Sequence, residues 1–230
     1  MQIDLKIAQL LSSRICHDLV GPIGAVNTGL ELMEEDSGDL TDDDAALGLM
    51  ARSANEASRR LAFYRIAFGL GTVGASGGAS DGGGKSALDE AGALAQGLLE
   101  NGKVMLEWPD IAAEGFGPVP PNAVKIVLNM ILMASESLAR GGTVGLNFAQ
   151  LDEGLGVGLT ASGEGGAFRE DLLAALAENA GTEDNEITAR NVHAYLAQCL
   201  AHDLGGRLEY SLGRDGEIQL AVLLPNVADC

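Results

Sequence analysis

The sequence predicts an α+β chain in which a long N-terminal helical hairpin precedes an α/β sandwich. Three observations carry that expectation. Apolar residues recur at three- and four-residue intervals through the first 70 positions; a run rich in Gly and Ser interrupts every period from Gly69 to Ser86; and helical and strand patterns alternate from there on.

The first helix is marked by Ile7, Leu10, Leu11, Ile15, Leu19, Ile23, Val26, Leu30 and Met33, one stripe from about residue 4 to about residue 36. At 1.5 Å per residue that is roughly 50 Å of helix. Pro22 inside the stripe is expected to kink the helix rather than end it. Ser37-Gly38-Asp39-Leu40-Thr41 breaks the pattern, with Thr41 a suitable N-cap and Asp42, Asp43 and Asp44 suited to the next helix dipole. Ala46, Leu49, Met50, Ser53, Ala57, Leu61, Tyr64 and Phe68 form the second stripe. Pairing once cannot cover both stripes, so residues 1–70 are expected to form a homodimeric four-helix bundle from two hairpins. The alternative is a monomer whose second domain caps the stripe.

Residues 71–86 read as a Gly/Ser-rich linker and 87–230 as the second domain. Gly83-Gly84-Lys85-Ser86 has no preceding apolar strand and makes no phosphate-binding loop. Helices are expected at 87–101, 121–139, 168–178 and 187–204, and strands at 103–108, 143–150, 154–161, 206–212 and 216–224.

Composition narrows the function. The 230 residues are 47% hydrophobic and only 4% aromatic, enough for cores built from aliphatic side chains. A formal net charge of −19 excludes nucleic acid and anionic membrane, which need a basic face, so partners should be proteins or small ligands. Cys16, Cys199 and Cys230 share no metal or disulfide spacing, the N-terminus has no leader pattern, and no apolar run is long enough to span a bilayer. The expected compartment is a reducing cytoplasm.

The chemistry-bearing stretch is Ser13-Arg14-Ile15-Cys16-His17-Asp18-Leu19-Val20-Gly21-Pro22-Ile23, a His-Asp pair on an amphipathic helix with Pro22 five residues beyond the histidine. An exposed His beside a carboxylate is a candidate nucleophile, and an unperturbed imidazole with a pKa of about 6.5 is mostly neutral near pH 7. A turn centred near Asp39 sets His17 level with residue 61, which places Arg59, Arg60 and Arg65 near His17 and Arg14. Glu31, Glu34, Glu35, Asp36, Asp39, Asp42, Asp43 and Asp44 then crowd the other end. Basic residues around one histidine of a very acidic chain suit phosphate and an acidic partner pocket. The docking surface is therefore expected within one turn of His17, at Arg14, Asp18, Gly21, Pro22 and Ile23, with Arg60 and Tyr64 from the second helix. His193 and His202 read as structural.

The His-Asp-Pro arrangement resembles the phospho-acceptor box of two-component histidine kinases. With Ala25-Val26-Asn27-Thr28-Gly29-Leu30-Glu31-Leu32 it is more similar still to the ChpT-type histidine phosphotransferases of alphaproteobacteria. The second domain resembles a histidine-kinase ATP-binding domain in element order but departs from it in chemistry. Asn129 is kept, yet Met133 stands where a chelating Asn is expected, Ala161 replaces the adenine-reading Asp, and residues 182–190 lack a glycine repeat. A thioether does not hold Mg2+ and alanine cannot hydrogen-bond an amine, so the ATPase-like domain reads as degenerate.

The resemblance implies that His17 accepts a phosphoryl group from the receiver domain of a hybrid histidine kinase and passes it to response regulators. It implies that Asp18 hydrogen-bonds the second ring nitrogen. No cofactor is expected in this chain, Mg2+ being supplied by the partner receiver domain. A non-catalytic dimeric adaptor and an autophosphorylating kinase are the alternatives. Gly21 weakens a phosphatase reading, because related bundles position the hydrolytic water with an Asn or Thr there.

Overall fold

The computed structural model describes residues 4–35, 40–69, 71, 87–111, 119–213 and 216–226. Helix α1 (Leu5–Glu35) is one helix of 31 residues with Pro22 inside it, and it pairs with α2 (Leu40–Ala67). Gly29 lets the two approach closely: a Cβ there would lie 2.4 Å from Met50 Cγ. Because α2 already includes Thr41, that residue is not its N-cap; the expected turn near Asp39, and with it the centre of the expected acidic end, lies outside the described residues. So does the expected linker segment 72–86.

The second domain follows the expected order: α3 (Ala87–Leu99), β1 (Val104–Glu107), α4 (Pro121–Glu136), β2 (Gly142–Leu151), β3 (Gly154–Ser162), α5 (Glu170–Leu176), α6 (Val192–Asp203), β4 (Leu208–Leu212) and β5 (Ile218–Pro225). The strands form one sheet in the order β1-β2-β3-β5-β4, with β1 parallel to β2 and every other pair antiparallel. Along β5 buried and exposed residues alternate strictly, because the helices cover one face of the sheet only. Pro121 opens α4 at a position whose N–H has no helical partner anyway. Gly142, at φ +150, closes the entry to β2, where a Cβ would meet Ser162 O at 2.2 Å.

Helix α4 (PNAVKIVLNMILMASE) is buried from Ala123 to Ala134 except at Lys125. A helix apolar on nearly every side belongs in the middle of a layered core. One side meets β2, β3 and β5; the others meet α3, α6 and α2. Ile7 and Leu11 of α1 and Phe63, Tyr64, Ile66 and Ala67 of α2 therefore join the same continuous core as the sandwich. The base of the hairpin is covered by the second domain, whereas farther along Val20, Ile23, Leu30, Leu47 and Leu61 stay exposed.

Leu128 is fully buried in α4. Leu128→Ala should cost about 3 kcal/mol, the lost transfer energy plus a cavity that the surrounding helices cannot close. Urea unfolding of the full chain would show this as a lower midpoint with an unchanged slope.

Candidate active site around His17

His17 points outward from the middle of α1, its side chain 87% exposed. The next residue, Asp18, is turned inward to 16% exposure and is held from three directions. His17 Nδ1 lies 3.1 Å from Asp18 Oδ1, the Tyr64 hydroxyl donates to Oδ2 at 2.5 Å, and Arg14 Nε stands 3.5 Å from Oδ2 one turn earlier on α1. Burial alone would raise the Asp18 pKa; the hydrogen bonds from Tyr64 and His17 and the charges of Arg14 and Arg60 outweigh it and hold the carboxyl below its usual range. An ionised carboxylate only accepts, so His17 Nδ1 carries the proton and Nε2 presents its lone pair to solvent.

Tyr64 lies one helical turn beyond Arg60, near which a symmetric hairpin turn sets Asp18. Helical side chains lean toward the N-terminus of their helix, so the Tyr64 ring reaches back to the level of Asp18. It stacks on Phe68 at 5.0 Å and meets Phe63 edge-on at 5.8 Å, which fixes the hydroxyl.

The second domain supplies the other wall. Arg14 Nη2 pairs with Glu136 Oε1, Nη1 donates to the Arg190 carbonyl at 2.8 Å, and Nη1 also lies 2.9 Å from His193 Nδ1. A guanidinium has no lone pair to offer, so His193 Nδ1 accepts and its Nε2 bears the proton, 3.6 Å from Glu136 Oε2. Arg169 stands 3.5 Å from the same Oε2, donates to Asp171 and shares the Arg190 carbonyl at 3.0 Å. Asn191, fully buried, holds that carbonyl in place: its Oδ1 accepts from Thr188 N while its Nδ2 donates to Asp171 O and Glu186 O.

A cleft of about 600 Å3 results, lined by Ser13, Arg14, His17, Asp18, Glu136, Arg169, Ala189 and Arg190. Among the described residues, the exposed Arg190 guanidinium has no carboxylate partner. Burial lowers the Arg14 pKa, but Glu136 and Asp18 more than reverse this and keep it charged. Burial, together with Arg14 and Arg169, pushes the His193 pKa well below the ordinary value.

Several expected docking residues are placed differently. Arg14 and Tyr64 are buried, 7% and 2% exposed, because each is turned inward to Asp18; Arg14 shows only at the wall of the cleft and Tyr64 does not line it. Arg59 pairs with Glu100 at the end of α3 instead of facing His17. Arg60 remains near Asp18, half-buried and held by Glu56 at 2.7 Å. Gly21 and Ile23 are exposed and Pro22 half-buried, and nothing lies within 4 Å of a Cβ placed on Gly21. Sequence reasoning missed Glu136, Arg169 and Arg190. Glu136 carried a readable signal, since a carboxylate in the last turn of a helix opposes the dipole and calls for a cation. His193, in the first turn of α6, is the mirror case: there the dipole favours the neutral imidazole.

The positions that the resemblance assigns to nucleotide do not fit one. Met133 and Ala161 are fully buried and offer neither an oxygen ligand nor a hydrogen-bonding group; Asn129 Nδ2 donates to Ala67 O at 3.1 Å and Lys125 O at 2.7 Å, while its Oδ1 is buried without a hydrogen-bond partner.

Residues 88–216 match the family model described as the histidine phosphotransferase C-terminal domain. The protein phosphotransferase ChpT of Brucella abortus (strain 2308) is 33% identical over 204 residues, 89% of each chain. The chain belongs to the ChpT-type histidine phosphotransferases. A solved bacterial phosphotransferase superposes on it with a TM-score of 0.75 at 31% identity, covering 96% of this chain and 98% of that one. In this ChpT-type chain the C-terminal match contains Glu136, Arg169, Arg190 and His193, while His17 and Asp18 lie before it.

Neutral His193 gives stability a definite pH dependence. Unfolding frees it to protonate below about pH 6.5, whereas the folded protein keeps it neutral to much lower pH. The unfolded chain then binds more protons, so stability falls with acidification, by at most about 1.4 kcal/mol per pH unit for one such group. His193→Gln keeps an acceptor for Arg14 and should flatten the fall between pH 6.5 and 5, measured by urea unfolding across that range.

Proposed function

We propose that His17 accepts a phosphoryl group from the aspartyl phosphate of a receiver domain and passes it to the aspartate of a response regulator. The observation that carries this reading is the pairing of a largely exposed His17 ring with an Nδ1–H anchored on an ionised Asp18. Nε2 attacks phosphorus in line as the bond to the receiver's carboxylate oxygen breaks. The Nδ1 proton stays where it is, and the Asp18 carboxylate offsets the positive charge that the phosphorylated ring acquires. No proton has to move, so the same groups serve transfer onto the ring and off it. Mg2+ enters in the receiver's acidic pocket and neutralises phosphoryl oxygens there, and the receiver comes from a hybrid histidine kinase.

The docking face is the exposed part of α1 around Gly21 and Ile23 with Arg60 on α2, and it suits an acidic partner rim. We assign the remaining exposed apolar side chains, Val20 (70% exposed), Leu30, Leu47 and Leu61, to a second copy of the chain in a four-helix bundle. The absence of any described helix long and apolar enough to cross a membrane, and the free thiols of Cys16 and Cys199, fit action in the cytoplasm.

Three outcomes are expected. Radiolabel appears on the protein when it is mixed with a phosphorylated receiver and not when mixed with ATP alone, and His17→Gln abolishes labelling while retaining receiver binding; labelling of that variant would overturn the assignment. Arg60→Glu slows transfer severalfold at low salt, an effect that shrinks as salt screens the charge of this half-buried side chain. Leu30→Glu combined with Leu47→Glu yields a folded monomer by light scattering.

A further inference from the structure

Arg14 links Asp18 to the second domain. Its Nε bears on Asp18 Oδ2 at 3.5 Å, and its two terminal nitrogens are occupied by Glu136 at the end of α4, His193 at the start of α6 and the Arg190 carbonyl between α5 and α6. A planar fork held at so many points cannot rotate about its own axis, so the direction of Nε is fixed by residues far away in sequence. The remaining groups facing this cluster are Arg169, engaged by Asp171 and 3.5 Å from Glu136, the Tyr64 hydroxyl on the far side of Asp18, and Arg60, whose charge acts on Asp18 from α2.

The charges in the cluster are shared. Arg14 serves two carboxylates, Asp18 and Glu136, and it lies much closer to Glu136. Were Glu136 uncharged, the buried guanidinium would have Asp18 as its nearest anion and would move onto it. Asp18 would then be drawn from His17 Nδ1 toward Arg14, and the imidazole would lose the bond that sets its tautomer and plane.

We propose that Glu136, backed by His193, is a positioning residue for phosphotransfer: by gripping Arg14 from the second domain it keeps Asp18 available to orient the His17 ring. The inference rests on His17 being the phosphoryl acceptor. It gives the second domain a part in the chemistry of α1 that needs no nucleotide.

The test compares full-length Glu136→Gln and Arg14→Lys with wild type and with Glu178→Gln, which removes an exposed partner of Arg207 outside the cleft. Glutamine keeps the shape of Glu136 without its charge, and lysine keeps the charge of Arg14 without its fork. Transfer from a phosphorylated receiver should slow about tenfold in both variants, as expected when a reacting group is held less well. In nitrogen-15 spectra the His17 ring should change from one Nδ1–H tautomer to a mixture. Glu178→Gln should alter neither readout. Rates within twofold of wild type together with an unchanged His17 tautomer would overturn the proposal. So would loss of folding in both variants, since that describes a purely structural pair. If wild type takes no label on His17, the acceptor assignment itself fails, which is a distinct result.

Discussion

A sixteen-residue helix that is apolar on nearly every side has to be covered all the way round, and α4 meets that requirement with the sheet on one side and α3, α6 and the base of the hairpin on the others. Every feature of the site depends on this packing. Drawing Phe63, Tyr64 and Ile66 into the sandwich core carries the lower half of α1 with them, which brings Arg14 against the end of α4. A guanidinium buried there needs carboxylates and carbonyls, and the end of α4 and the turn leading into α6 supply them. The polar cluster beside His17 is thus a product of apolar packing.

Two histidines show how far environment governs identical chemistry. His17 has water on almost all sides and a single carboxylate contact; His193 is sealed at a helix N-terminus among two arginines. The first is free to engage a reagent. The second, neutral, accepts a hydrogen bond at Nδ1, which makes it a dependable anchor for Arg14.

The sequence announced the elements because their periods are strong: the stripe from Ile7 to Met33 and the alternation in β5 leave little choice of structure. It announced His17 because the His-Asp-Pro spacing is local. It could not announce Glu136 or Arg190, which lie more than a hundred residues from Arg14 and meet it only through the fold. Arg14 was legible as a cation near His17 but not as a buried one, since burial follows from α4 and α6 closing over it. Arg59 and Arg60 are neighbours whose side chains diverge by about 100° around the helix, so one reaches α3 and the other Asp18.

Asn129 holds a last consequence. Its amide closes on the Ala67 carbonyl, the final residue of α2, and ties the middle of α4 to the hairpin within a continuous apolar contact. A domain that delivers its own reagent to a distant histidine must be able to travel, and a domain glued down along a core cannot. The sandwich therefore stands as a wall beside His17, held to the hairpin by a shared core. Such an arrangement gives up the swinging stroke of a motor and keeps the rigidity of a jig.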